Sequence, residues 1–390
     1  MDPADPVIHP VPPRTPQTEA GANGSIEEEH PGLNQVAHET HDLTWYLIGD
    51  QGLRAGWSVL IFYVLYRIFV YFLGAVAVSL DPQLTRAIFS PTFALIGELV
   101  PFLAILAAVT VVARVEQRSI LDYNLTGPRP AFHFFTGLAI GFVALSVLVG
   151  ILCLGGWLHF GGASLSGARI ARFGVLWAVA FLIVGLVEEG SFRCYLQFTL
   201  TRGLNFWWAL AVVGGVCLDL LTRGRGNGIW GVYLVAAVGV VPCALLQMKK
   251  VPGSNFWQAA WVTSTLFGFI HTSNNGENWI GIFAASLIGF VFCASVWATG
   301  SAWWAIGCHA SWDWAETYFY GAADSGNVAT GHLLSTSPAG AAVWSGGTDG
   351  PEGSVLVIPV VLLLLAAILI LYRRGKSDTS AARISELAAG

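Results

Sequence analysis

The sequence predicts an all-α, polytopic membrane protein, a helical bundle of about eight to ten transmembrane helices, and three observations predict it. Of 390 residues, 55% are hydrophobic and only 11% charged, with a mean hydropathy of +0.63, more apolar content than one soluble core uses. Several apolar runs reach the roughly 20 residues an α-helix needs to cross about 30 Å of hydrocarbon. These runs are rich in glycine and lack the alternation of a barrel strand, which favours packed helices over a β-barrel.

Residues 1–45 are rich in Pro, Gly, Glu, Asn and His, carry the acidic run Glu27 to His30, and show no apolar periodicity. A disordered cytoplasmic tail is expected there. It lacks a basic region followed by an apolar stretch and a cleavage site, so the first hydrophobic helix is expected to direct insertion. The polytopic domain then runs over 46–375, with spans expected at 57–80, 92–113, 134–158, 174–198, 206–222, 228–247, 257–273, 278–298, 302–320 and 354–372. A short tail, 376–390, closes the chain.

Lys and Arg in the short connections set the orientation. With ten spans and a cytoplasmic amino terminus, one side collects Arg54, Arg114, Arg118, Arg129, Arg202, Lys249, Lys250, Arg373, Arg374 and Lys376. The other side holds Arg86, Arg169, Arg172, Arg223 and Arg225. This bias places both termini in the cytoplasm, with the inner (plasma) membrane as the expected location. The long Gly- and Ser-rich connection 321–354 has no Lys or Arg and falls on the opposite side.

The formal net charge of -5, without a basic stripe, argues against a nucleic-acid partner. The cysteines, Cys153, Cys194, Cys217, Cys243, Cys293 and Cys308, lie in or beside apolar segments with no CxxC spacing. They read as small core residues rather than a disulfide framework or a zinc knuckle.

An ionisable side chain near the bilayer centre costs roughly 2.5 to 3.5 kcal/mol on insertion scales, so each one within a span requires a reason. Arg67 and Glu98, in the first two spans, are expected to pair with each other. Asp219 is expected to pair with Arg223 four residues on. His133 and His159 lie at span ends and His332 in the long connection, and none is expected to be catalytic.

The remaining groups form two constellations. Glu189 and Arg193 are i and i+4 and stack on one helix face, which leaves Glu188, about 100° away, without that partner. A carboxylate held in low dielectric without full pairing is tuned toward a general base. His309 and Asp313 are also i and i+4, with Glu316 at i+7, and an Asp that accepts an imidazole N–H fixes the ring's tautomer. As an alternative, both groups are internal bridges that hold the helices in register.

Three motifs occur in order within apolar context: EEGSFR at Glu188 to Arg193 matches EExxxR, FGFIH at Phe267 to His271 matches FxxxH, and HASWD at His309 to Asp313 matches HxxxN/D. In these, and in TGSAWWAIGCHASWD and GPEGS, the chain resembles the CAAX protease and bacteriocin-processing (Abi) family of intramembrane endopeptidases. The motif-bearing core covers about 174–320. Roughly 70 residues separate Arg193 from Phe267, more than one short connection, so 205–250 reads as an inserted helical pair.

The resemblance implies that Glu188 takes a proton from the attacking water, that His271 positions the water and that His309 stabilises the oxyanion. Asp313, Glu189, Arg193 and Phe267 are implied as supporting residues. No cofactor is required in that mechanism; the alternative is a divalent metal, zinc by its oxygen and imidazole ligands, on Glu188, His271, His309 and Asp313. Without HExxH that alternative lacks local support. Ser191 and Cys194 have no neighbouring base or nucleophile elbow and are not expected to act as nucleophiles. The implied partners are a hydrophobic or lipidated peptide and membrane lipid. A transporter with a carboxylate and histidine relay is a second reading, though no internal repeat supports it. A catalytically silent relative serving immunity or scaffolding is a third.

Overall fold

The computed structural model describes residues 47–49, 52–82, 89–204, 206–223, 241–249, 251, 253–274 and 276–372. The two terminal tails and most of the expected span 228–247 lie outside the described residues, as do the side chains of Cys217, Asp219 and Arg223.

A two-residue hairpin, β1 (Ile48–Gly49) with β2 (Gly52–Leu53), precedes α1 (Ala55–Leu80) and α2 (Pro91–Val115). Ser90 caps α2 by accepting from the backbone N–H of Phe93, and Pro91 fits the first helical position because its missing N–H would have no helical acceptor. Next come α3 (Pro130–Leu154), β3 (Leu158–Ala163) and the long helix α4 (Ala168–Gly203), which is π-helical over Gly190–Leu196. The helices α5 (Phe206–Arg223), α6 (Val241–Lys249) and α7 (Ser254–His271) follow. Asn278 caps α8 (Trp279–Thr299) with its Oδ1, and Gly300, at a φ of 81°, ends that helix. The chain then forms α9 (Trp303–Asp313), which continues as a π-helix over Trp314–Phe319, then β4 (Leu334–Pro338), the short α10 (Ala342–Ser345) and α11 (Val357–Leu371).

Among the described residues, five helices, α1, α2, α3, α4 and α8, are long and apolar enough to cross a membrane. The stretch Phe206–Val216 and α11 are apolar but shorter. The all-α membrane bundle read from the sequence is what the chain forms. Of the other expected spans, α7 buries Gln258, Thr263, Ser264 and Thr265, and α9 has 11 residues before its π-helical continuation. The outward faces are apolar as lipid demands, with Tyr63, Ile68, Tyr71 and Phe72 all exposed along α1.

At the centre, α9 packs against α3 on one side and α4 on the other. Small residues make the first contact close: a Cβ on Gly137, Gly141 or Gly307 would collide with the carbonyl oxygen of Trp304, Cys308 or Phe134, respectively. Around this seam, Leu145, Leu148 and Leu152 of α3 join Trp304 and Cys308 of α9 and Val361, Leu364 and Ile368 of α11 in one core. A second pairing, α7 with α8, is tightened in the same way by Gly268, where a Cβ would strike Ser286.

The connection 321–354 is more structured than its Gly and Ser content suggests. Its β4 pairs antiparallel with β3, Trp344 stacks on Trp157 at 5.3 Å, and Thr330 donates its N–H to Phe89. It covers the ends of α4, α7 and α9, the three helices that carry the motifs.

Candidate active site

Helix α4 runs from residue 168 to 203, longer at both ends than the expected 174 to 198, with Glu188 near its middle. At 1.5 Å per residue, its 36 residues extend roughly 54 Å, well beyond the hydrocarbon thickness. Directly after Glu189 the winding loosens to π, a local change frequent at functional sites.

Glu189 and Arg193 have no exposed side-chain surface, while Glu188 keeps 28%. The three motif charges thus separate into an interior pair and one carboxylate that faces a cavity. Arg193 Nε lies 3.1 Å from Glu189 Oε2 in an ion contact without hydrogen-bond geometry. Its guanidinium is sandwiched by aromatic faces, 4.2 Å from the Phe267 centroid and 5.4 Å from that of Phe292.

The other oxygen of Glu189 reaches across to α9, where Oε1 lies 2.8 Å from His309 Nδ1. An ionised carboxylate only accepts, so Nδ1 carries the proton. Sequence spacing had assigned the orienting role to Asp313. The structure gives the short bond to Glu189, and leaves Asp313 Oδ2 3.5 Å from the opposite nitrogen, Nε2. Glu188 Oε2 lies 3.8 Å from that same nitrogen. One carboxylate therefore holds the back of the ring, and two carboxylates flank the nitrogen that faces the cavity.

His271, at the end of α7, places Nδ1 2.7 Å from the carbonyl oxygen of Phe267, one turn earlier. The Phe267 ring contacts both histidines, at 4.9 Å from His271 and 6.1 Å from His309. The aromatic in FxxxH thus has a role in its ring, which contacts both imidazoles and supports Arg193 on its face.

Glu188, His271, His309, Asp313 and Phe267 all line one cavity of about 230 Å³. The span boundaries expected from sequence put Glu188 and His271 on the order of 10 Å apart in depth. The structure instead has both residues lining the same cavity. Residues that the sequence reading did not select complete its wall: Asn274 from the turn after α7, Asp324 and Asn327 from the long connection, and Glu352. Glu352 lies in the Gly350 to Ser354 turn, and accepts from the Trp312 indole at 2.6 Å.

Glu98 is also in this wall, which corrects the expected pairing with Arg67. Arg67 is exposed on α1, and no ion pair joins the two. The α2–α4 packing turns Glu98 toward Glu188 instead. The sequence signal for this was its position in a span, but spacing within α2 could not show which helix it faces.

Among the described residues, no three His, Cys, Asp or Glu side chains are arranged to hold a metal ion. Glu188, His271, His309 and Asp313 share the cavity without forming a ligand set. Cys194, Cys243, Cys293 and Cys308 are buried free thiols, and Cys153 is an exposed one. Ser191 donates to the Val187 carbonyl within its own helix, as a structural hydroxyl does.

Fold and site together define a polytopic helical membrane protein with a carboxylate and histidine cavity enclosed by its central helices. Within it, residues 243–315 match the family described as Rce1-like, type II CAAX prenyl endopeptidase Rce1-like. The match takes in Phe267, His271, His309 and Asp313; Glu188, Glu189 and Arg193 lie upstream of it. No curated protein and no solved structure matches the chain.

Proposed function

We propose that this protein is an intramembrane endopeptidase that hydrolyses a peptide bond in a membrane-anchored or hydrophobic peptide, without a resident cofactor. The observation that carries the reading is the meeting of Glu188 with His309 Nε2 at 3.8 Å in a cavity that His271 also lines.

Peptide hydrolysis inside a bilayer requires a water, a base and a donor for the developing oxyanion. Glu188, the one exposed carboxylate of its motif, takes the proton of the attacking water, while His271 Nε2, free of the backbone contact made by Nδ1, helps to position that water. His309, locked through Nδ1 by Glu189, presents Nε2 to the carbonyl oxygen and stabilises its negative charge when protonated. Asp313 flanks Nε2 and supports the protonated ring. As the tetrahedral intermediate collapses, the proton held by Glu188 passes to the leaving amine. Arg193 acts on the chemistry only through Glu189, by holding that carboxylate in place. A prenylated peptide is one candidate substrate suggested by the family match. The charge distribution of the connections supports cytoplasmic termini.

The test is reconstitution of the full chain in lipid with a lipid-anchored reporter peptide, in water enriched in oxygen-18. New carboxyl termini bearing the heavy isotope are expected from the wild type. Rates about 10² to 10⁴ lower are expected from Glu188→Gln and His309→Ala, the range for loss of an acid-base group. Cleavage retained by both folded variants would overturn the mechanism.

A further inference from the structure

Among the described residues, the cavity wall contains five carboxylates, Glu98, Glu188, Asp313, Asp324 and Glu352, and no lysine or arginine. Four of these have partners. Glu188 and Asp313 flank His309, Asp324 accepts from Thr317 at 2.8 Å, and Glu352 accepts from Trp312. Glu98 has neither an ion pair nor a hydrogen bond among the described residues, although it lies within a membrane-spanning helix.

A carboxylate at such a site costs roughly 2.5 to 3.5 kcal/mol to insert, and no cation among the described residues pairs with it. Its position opposite Glu188 adds like charge to the same small space. Both features point to a cation that arrives with the ligand. The surrounding wall suits a long basic side chain. Ala94, one turn before Glu98 on α2, and Phe181 and Val184, on the face of α4 that ends at Glu188, form an apolar strip leading to the carboxylate. Such a strip covers the methylene stem of lysine or arginine while the charged head meets an oxygen.

We infer that Glu98 is a specificity-determining residue that receives a lysine or arginine side chain of the peptide substrate close to the bond addressed by Glu188, His271 and His309. The substrate class is then a hydrophobic peptide with a basic residue beside the cleavage position. This rests on the endopeptidase reading for the word substrate, but the charge selectivity can be measured without catalysis.

The experiment uses the full chain in phospholipid nanodiscs and three apolar peptides, identical except for one lysine, norleucine or glutamate, with that residue moved through eight successive central positions. Binding is measured to the Glu188→Gln variant, with and without a second change at Glu98, and cleavage is measured with Glu188 intact. At one or two positions the lysine peptide is expected to bind about 10-fold or more tighter than the norleucine peptide, the range for a hydrogen bond to a charged group. Glu98→Gln is expected to abolish that preference and Glu98→Lys to transfer it to the glutamate peptide. Binding that is equal or absent for all three peptides, or a lysine preference that survives Glu98→Gln, overturns the inference. Charge-selective binding without cleavage by the wild type supports it while overturning the endopeptidase reading; cleavage without charge selectivity does the reverse.

Discussion

Glu189 Oε1 lies 2.8 Å from His309 Nδ1, whereas Asp313, one turn along from the histidine on its own helix, reaches only Nε2, at 3.5 Å. The ring is held from α4 and not from α9. Glu189→Gln keeps the shape, but either leaves Nδ1 with an amide oxygen, a weaker acceptor, or presents an amide N–H that inverts the tautomer. A rate loss of about 10²-fold is expected, the scale of a 1 Å misplacement of a catalytic group. Asp313→Asn is expected to lose less, because the short bond remains. Steady-state rates of the two variants on one reporter peptide check the order, and a larger loss in Asp313→Asn would reverse the assignment.

Gly307 packs against Phe134 so closely that a Cβ would overlap the carbonyl oxygen. Because His309 follows two residues later, a wedge between α3 and α9 displaces the catalytic ring as well as the core. Gly307→Val is expected to destabilise by about 1 to 3 kcal/mol, the usual cost of overpacking, and to lower activity further than stability alone explains. Gly150, within α3 and with open space where a Cβ would go, is the control: Gly150→Ala is expected to cost no stability and to leave activity unchanged. Thermal unfolding in detergent together with activity at a temperature where both variants stay folded separates the two effects.

Much of this arrangement was legible in the sequence. The three motifs, their order and their apolar setting located Glu188, His271 and His309, and i,i+4 spacing correctly placed Glu189 beside Arg193. The partner of the histidine was not legible, because spacing along one helix reports contacts within that helix and Glu189 reaches His309 from another. Glu98 was misassigned for the same reason: Arg67 and Glu98 occupy neighbouring spans, but which faces meet depends on rotation about the helix axes. The π-helical turn after Glu189 and the pairing of β3 with β4 have no strong local signal. A Gly- and Ser-rich connection reads as a loop until its strand finds a partner about 170 residues away.

The absence of a converged ligand set among the described residues leads to a simple expectation for metal removal. Dialysis of the reconstituted protein against a strong zinc chelator is expected to leave peptide cleavage unchanged. A loss of activity that added zinc restores would show that Glu188, His271, His309 and Asp313 assemble around an ion, and would require a different role for Glu188.

Beside Gly281, Glu277 Oε1 and Asp349 Oδ2 both crowd the space a Cβ would fill, and Asp349 also accepts from the Asn278 backbone N–H at 3.2 Å. Burial, with the neighbouring Asp349 and Glu352, pushes the Glu277 carboxyl up to about 9. Burial likewise, with Asp324 nearby, raises Asp349 to about 7. Opposing this, Asn274 donates to Glu277 at 3.2 Å. A carboxyl raised in the folded state binds protons that the unfolded chain, near 4, has already lost. The stabilisation is therefore complete below about pH 4 and is lost as pH rises through 7 and then 9. Melting temperature is expected to fall from pH 5 to pH 9, and Glu277→Gln is expected to flatten that slope. A slope unchanged in the variant would remove this pair as its cause.

Arg193 supplies the last prediction, because it serves Glu189 by shape as well as charge. Its Nη1 and Nη2 make no hydrogen bond, and what they face is the aromatic surface of Phe267 and Phe292. A planar, weakly hydrated guanidinium tolerates that setting, whereas a lysine ammonium, a compact and strongly hydrated charge, does not. Arg193→Lys keeps the formal charge opposite Glu189 but loses the stacking, at a cost of about 1 to 2 kcal/mol. Arg193→Ala leaves Glu189 buried without its cation, and about 3 to 5 kcal/mol is expected. If Arg193 acted only as a counter-charge, lysine would restore both stability and rate. If stacking on Phe267 matters, Arg193→Lys remains impaired, and Phe267→Leu reproduces its defect while adding little to it in the double variant. Unfolding and cleavage measured across that cycle distinguish the two.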